Sequence, residues 1–202
     1  MFALVDKSDN SITRMLNGNR GITIGDNQYP RAIFTIWTEA ERNAINIYSV
    51  TIDDSKRKNV KWYINTNITY SFDGTNATGS YGDATARAHA DTTWTEEDEE
   101  DGLGTEGEVK VEGLKTKLIR DVKLEAANEL AKTDWYITRK SEKNTAIPSA
   151  ISTHRDAVRT KQDSMCTAIT NASDTPALET LYTYTDQEDG TRTRPLGELP
   201  TL

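Results

Sequence analysis

The sequence predicts an α+β protein, with a small antiparallel β domain and one short helix at the N-terminus, followed by a C-terminal helical hairpin or bundle. Three observations predict it. Over residues 1–90, short runs of alternating apolar and polar residues lie between turn signals, the period of half-buried strands. Over residues 111–185, apolar residues recur at three- and four-residue steps, the period of an amphipathic helix. Between them, residues 91–112 are acidic and carry three glycines, a composition that buries little. The expected organisation is a β-rich domain (1–90), an acidic loop or linker (91–112), a helical module (113–186) and an extended tail (187–202).

The N-terminal elements follow in order. Phe2-Ala3-Leu4-Val5 is a short apolar run stopped by Asp6, Asp9 and Asn10, which favour a turn. Ile12 to Leu16 returns as a second strand. Ile22-Thr23-Ile24 lies between Gly21 and Gly25, and Tyr29-Pro30 requires extended backbone before the proline. Thr38-Glu39-Ala40-Glu41 is a capping box opening a helix of two or three turns. Phe34, Ile36 and Trp37 just before it are assigned to the core. Three further strands are expected at 47–52, 60–64 and 68–72. Asp73-Gly74-Thr75-Asn76 is a turn, because Asp73 can bond its own backbone and Gly74 tolerates positive φ. Residues 79–95 give little pattern.

The C-terminal elements are longer. Leu114, Leu118, Val122 and Leu130 place a helix over 114–132. Thr133-Asp134 breaks it, Trp135-Tyr136-Ile137 forms an apolar plug, and the polar stretch 139–144 is a loop. Pro148 suits the first turn of a new helix. Ile147, Ile151, His154, Val158, Met165 and Ile169 then form one narrow stripe on a helix from about 149 to 172. Asp174-Thr175-Pro176 stops and restarts the chain for a short helix over 177–184. A stripe this narrow calls for a partner helix, either the preceding one or copies of itself in an oligomer.

Composition excludes more functions than it suggests. The 202 residues carry a net charge of −8 and are 35% hydrophobic, with a mean hydropathy of −0.69. The acidity is local: residues 91–112 hold ten acids against Lys110, a charge of −9 that leaves +1 for the rest of the chain. An acidic chain does not suit nucleic acid, whose phosphates call for a basic surface. No apolar run is long enough for a membrane span, and no signal peptide is expected at the N-terminus. One cysteine and two histidines make neither an internal disulfide nor a Cys/His zinc site.

No catalytic, cofactor or metal motif can be defended. The glycines near Gly18 and Gly102 lack the strand–loop–helix context of a phosphate cradle. The sequons at Asn67, Asn76 and Asn171 carry meaning only in a secreted chain. His154 is assigned to packing or an interface, because no nucleophile or carboxylate motif accompanies it; His89 lies in a featureless stretch. Cys166 is read as a small buried hydrophobe. Asp53-Asp54 is read as a turn.

One segment resembles a known family. The run Glu129-Leu130-Ala131-Lys132-Thr133-Asp134-Trp135-Tyr136, then Arg139-Lys140, Ala146-Ile147-Pro148 and His154-Arg155-x-x-Val158-Arg159 resembles the C-terminal module of bacteriophage tail proteins. That pattern is a helix ending in Leu-Leu-x-x-Thr/Ser-Asp-Trp, a loop, and a helix carrying Tyr-Arg-x-x-Leu-Arg. It occurs in proteins labelled tail assembly chaperones and tail fibre assembly proteins. Here His154 stands in place of tyrosine and Val158 in place of leucine. The match covers under a fifth of the chain. More faintly, Gln28-Tyr29-Pro30-Arg31 and Trp37-Thr38-Glu39-Ala40-Glu41-Arg42 are similar to the openings of other tail proteins.

The resemblance implies a non-enzymatic, structural or adaptor protein of the baseplate or tail fibre region of the virion. It would be made in the cytoplasm of a bacterial host, with other tail proteins as partners and a trimer or hexamer as its own state. A tail assembly chaperone not retained in the particle is the alternative. Trp135 would cover the end of the helical hairpin, and Asp134 would cap or turn the chain. The interface candidates are Trp135, Ile147, Ile151, His154, Val158, Met165 and Ile169. Two rival readings come from other classes. One is a receptor- or carbohydrate-binding module using the eight Tyr and four Trp. The other is a hydrolase built on scattered acids such as Asp53, Asp54 and Asp73.

Overall fold

A computed structural model describes residues 1–202, and the chain forms two compact units, Met1–Thr85 and Ala86–Leu202. The fold class is mixed α and β, with six α-helices, several small sheets and a C-terminal helical part.

In the first unit, β1 (Phe2–Asp6) and β2 (Ser11–Leu16) form an antiparallel pair. Ile22–Ile24 (β3) and Asn27–Tyr29 (β4) make a separate hairpin, turning at Gly25 with φ 57°. The short helix α1 (Glu39–Ala44) opens with both halves of its capping box formed, as the sequence predicts. β5 (Ile47–Asp53), β6 (Tyr63–Ile64), β7 (Thr69–Phe72) and β8 (Ala77–Ser80) follow. The main sheet runs β2-β1-β5-β8-β7. Its β5–β8 pair is parallel, aligning Val50 with Ala77, so this domain is not purely antiparallel as expected. The β7–β8 turn uses Asp73 Oδ1, which accepts the Thr75 and Asn76 amides at 2.8 and 2.7 Å.

Strand alternation divides the apolar residues between two clusters. Ala3 and Val5 join Tyr48, Phe72 and Ala77 in one. Phe2 and Leu4 pack against Ile22, Ile33, Phe34 and Ile47 in the other. Phe34 is buried as expected, but Ile36 is 77% exposed because it follows the 3₁₀ turn 31–34 that carries Ile33 and Phe34 inward. The strand expected at 60–64 shrinks to β6. Asn59 is the cause: its side chain accepts the Lys61 amide at 2.9 Å, and its carbonyl accepts the Trp62 and Tyr63 amides. An asparagine that binds the following backbone offers a turn in place of a strand.

The two-residue strand β9 (Thr85–Ala86) straddles the division between units. The division therefore falls before the acidic segment, and residues 91–112 are not an unstructured linker. Thr92–Thr93 (β10) pairs antiparallel with Val109–Val111 (β11), and α2 (Glu96–Glu100) sits in the loop between them. Repulsion among the acids is offset by local bonds. Thr95 and Asp98 form a capping box, and Lys110 bridges Asp98 at 2.8 Å while lying over the Trp94 ring. Carboxylates at a helix N-terminus also meet the positive end of its dipole.

The helices α3 (Leu114–Ala131) and α5 (Ser149–Asn171) lie within a residue of their expected bounds and pack against each other. Between them the expected loop at 139–144 is instead part of α4 (Asp134–Lys143). Its Arg139, Lys140, Glu142 and Lys143 have good helix propensity, and the helix ends at Asn144 in the left-handed conformation, φ 51°. Nor do Trp135 and Ile137 form a buried plug, being 52% and 43% exposed. The last helix, α6 (Thr175–Tyr182), is capped by Asp174, whose side chain accepts the Ala177 amide at 2.8 Å.

The tail is not simply extended. Thr185–Asp186 (β12) and Arg192–Thr193 (β13) form a hairpin, Leu196 is buried, and its amide donates to Leu181 O at 3.0 Å. No helix is long and apolar enough to cross a membrane.

Candidate functional site

The start of α3 is set by residues far upstream. Gly113 at its N-cap has no side chain to cap with. Asp91 supplies the missing carboxylate. Its Oδ1 accepts the Gly113 amide at 2.6 Å and its Oδ2 accepts the Thr116 hydroxyl at 2.7 Å. These two bonds, the Thr116 one foremost, hold the Asp91 carboxyl below its usual range. The Leu114 and Lys115 amides donate to Ala88 O and His89 O, both at 2.9 Å, so the first amides of the helix are paired.

The end of α3 is fastened to α5 by Thr133, Asp134 and Arg155. Arg155, on α5 and 7% exposed, donates from Nη1 to Leu130 O at 2.8 Å and to the Thr133 hydroxyl at 2.6 Å. The same nitrogen lies 2.9 Å from Asp134 Oδ1. Thr133 in turn donates to Leu130 O at 3.0 Å. The guanidinium thus pins the bend between α3 and α4. One turn earlier on α3, buried Glu129 gathers three donors: Lys132, the His154 ring at 3.2 Å and the Leu202 amide at 3.2 Å. Together, and chiefly through Lys132, they hold its carboxyl below the usual range against the opposing effect of burial.

This cluster is a clasp and lacks the parts of a hydrolytic site. His154 faces a carboxylate, but no serine, cysteine or threonine hydroxyl or thiol is bonded to its ring, and general-base activation needs such a partner within reach. Cys166 is half-buried elsewhere on α5, and burial raises its thiol pKa, the opposite of an activated nucleophile. The acids offered for a hydrolase are dispersed in turns. Asp53 accepts the Ser55 amide, Asp54 pairs with Arg57 at 3.9 Å, and Asp73 holds its own turn. No group of three His, Cys, Asp or Glu side chains is placed to hold a metal ion. An open concavity of about 560 Å³ in the first unit is lined by Met15, Leu16, Ile22 and Phe34 with Arg14 and Arg20, and has no carboxylate on its wall.

Of the expected interface residues, Ile151, Val158, Met165 and Ile169 are buried within the chain, at 9, 0, 1 and 0% exposure. The stripe of α5 is covered, with α3 as its partner helix, and offers no free apolar face to a second copy. Ile147 is half-buried in the turn before α5, and His154 is half-buried on Glu129. Trp135 alone among them is exposed. It does not cover the end of the hairpin but stacks on Tyr136, ring centroids 3.7 Å apart, with the Arg139 guanidinium 4.8 Å from one ring and 5.2 Å from the other. Lys143 continues the Trp135–Arg139 row and Lys140 the adjoining row of Tyr136. Reading 139–144 as a loop concealed this face; the four-residue spacing of Trp135, Arg139 and Lys143 was the available signal.

No protein-family model matches the chain, and comparison with curated proteins and with solved structures gives no match.

Proposed function

We propose that the chain is a non-enzymatic component of a bacteriophage tail, a structural or adaptor protein of the baseplate or tail fibre region retained in the virion. The observation that carries this reading is the Arg155 clasp. The residues that resemble the tail-protein module, Thr133-Asp134 and Arg155, are far apart in sequence yet bonded to one another. Their pattern is therefore accounted for as a folding device, the physical content expected of a shared structural module. A polar clasp without a bonded nucleophile fits a binding or scaffolding role. Other tail proteins are its partners under this reading, and its own copies assemble as a trimer or hexamer.

Mass spectrometry of purified particles, with copy number, tests the proposal. Stoichiometric presence in a multiple of three or six is expected. Absence from particles, with the chain bound to a tail protein in the lysate, would replace the virion role by that of an assembly chaperone. Absence from both would overturn the tail reading and favour a receptor- or carbohydrate-binding module.

A further inference from the structure

Two exposed lobes are attached to opposite ends of α3. At its start, the β10–β11 hairpin presents the acids Glu96, Glu97, Glu100 and Asp101, with Leu103 and Val109 beside them, 60% and 50% exposed. At its end, α4 presents the stacked Trp135 and Tyr136 under Arg139, then Lys140 and Lys143. One lobe is acidic with exposed aliphatic residues. The other carries three bases against the single free acid Glu142, with Trp135 exposed and Tyr136 half-buried.

Neither lobe is neutralised by its own chain. Asp134 pairs with Arg155 of α5, and Glu142 forms no ion pair within the chain, so the free charges of α4 are Arg139, Lys140 and Lys143 against Glu142 alone. In the acidic lobe, Lys110 answers Asp98 alone, while Glu99 accepts the Glu106 amide at 2.9 Å. The 18 residues of α3 separate the two attachment points by about 27 Å. A rigid helix of that length keeps complementary surfaces apart within one chain and leaves them open to another. Trp135 is exposed, with Tyr136 and Arg139 half-buried beside it, and aromatic and arginine side chains are the residues that dominate protein–protein contacts.

We propose that the α4 face is a docking surface for a second copy of this chain, occupied by the acidic hairpin lobe of its neighbour. The contact is head-to-tail. Trp135 and Tyr136 meet Leu103 and Val109, and Arg139, Lys140 and Lys143 meet the glutamates of α2. Such heterologous contacts close into a ring or continue as a filament, according to the rotation between neighbours. The contact does not depend on where the protein acts, so its failure and that of the tail assignment are read by separate experiments.

Sedimentation analysis of the full chain tests it. Concentration-dependent association is expected at about 0.1 M salt, weakening toward about 1 M as the Debye length falls from about 10 to about 3 Å. Arg139→Glu with Lys140→Glu, and separately Glu96→Lys with Glu97→Lys, should each weaken self-association by about tenfold or more. Mixing the two variants should restore association, because the wild-type α4 of one meets the wild-type hairpin of the other and the two reversed lobes also complement each other. That restoration also shows that both variants fold. A wild-type chain that stays monomeric at low salt overturns the proposal. So does association that survives both reversals, or a mixture that remains dissociated.

Discussion

Arg155 Nη1 lies 2.6 Å from the hydroxyl of Thr133, 22 residues earlier in the chain, and this bond joins the second turn of α5 to the bend between α3 and α4. Arg155 is buried, whereas the Asp134 side chain that also faces it is 61% exposed. The same group therefore makes one class of bond that water cannot replace and one that it can.

Arg155→Ala should accordingly lower stability by about 2–4 kcal/mol, because it removes a buried side chain and the donor to the buried Thr133 hydroxyl, although Leu130 O keeps its bonds from Thr133. Asp134→Ala should cost under about 1 kcal/mol, as for other solvent-screened pairs. Urea unfolding followed by circular dichroism gives both values. Equal costs would mean that the ion pair, rather than the buried bonds, holds the bend.

Met165, on α5, is 1% exposed. Met165→Ala should destabilise the chain by about 2–5 kcal/mol through lost packing and a residual cavity. Its effect on the unfolding midpoint should not vary with protein concentration. A concentration-dependent cost would place this stripe in an interface between copies.

The sequence displayed the long helices clearly, because each carries a stripe long enough to establish a 3.6-residue period and a proline or aspartate at its ends. It concealed α4, where Trp135, Tyr136 and Ile137 are adjacent and give no periodicity over one turn. The parallel pairing of β5 with β8 was also hidden, since strand partners lie outside any local window. So was the clasp: the residues were visible as a resemblance, but Arg155 and Thr133 meet only once α5 has folded back on α3. The acidic run was misread for a physical reason. Composition registers repulsion among Glu96 to Asp101, whereas Lys110 and the Thr95 cap, which offset it, are individual contacts.

Asp98 is held down to about 2 from an ordinary value of 3.8, first by its bond from Lys110 and then by the Thr95 amide and hydroxyl. A carboxyl whose folded pKa is depressed contributes fully above its unfolded value and loses that contribution as pH falls toward the folded one. The acidic hairpin should thus loosen between pH 3.8 and about 2. The Thr95 amide shift in NMR spectra should titrate with the lower midpoint, and Asp98→Asn should abolish the transition. A midpoint near 3.8 would mean that the cap and bridge do not persist in solution.

Gly113 has room for nothing larger. A Cβ there would collide with the backbone carbonyl of Ala90, an atom that cannot rotate away. Gly113→Ala should cost about 1–3 kcal/mol through overpacking. The same change at Gly107, where a Cβ meets nothing but φ is 81°, reports conformational strain alone. Thermal unfolding of the two variants separates steric exclusion from backbone preference.

The pairing of β10 with β11, closed by the Asp91–Gly113 bond, makes the acidic segment a stem and loop. Its two ends are fixed to each other, whatever lies between them. Residues could be gained or lost around Glu96 to Gly107 without moving either Asp91 or the start of α3, since lengthening a surface loop changes its closure entropy only slowly. Length variation among descendants of this sequence should therefore collect in that loop, while the stem that starts the helix stays constant in length.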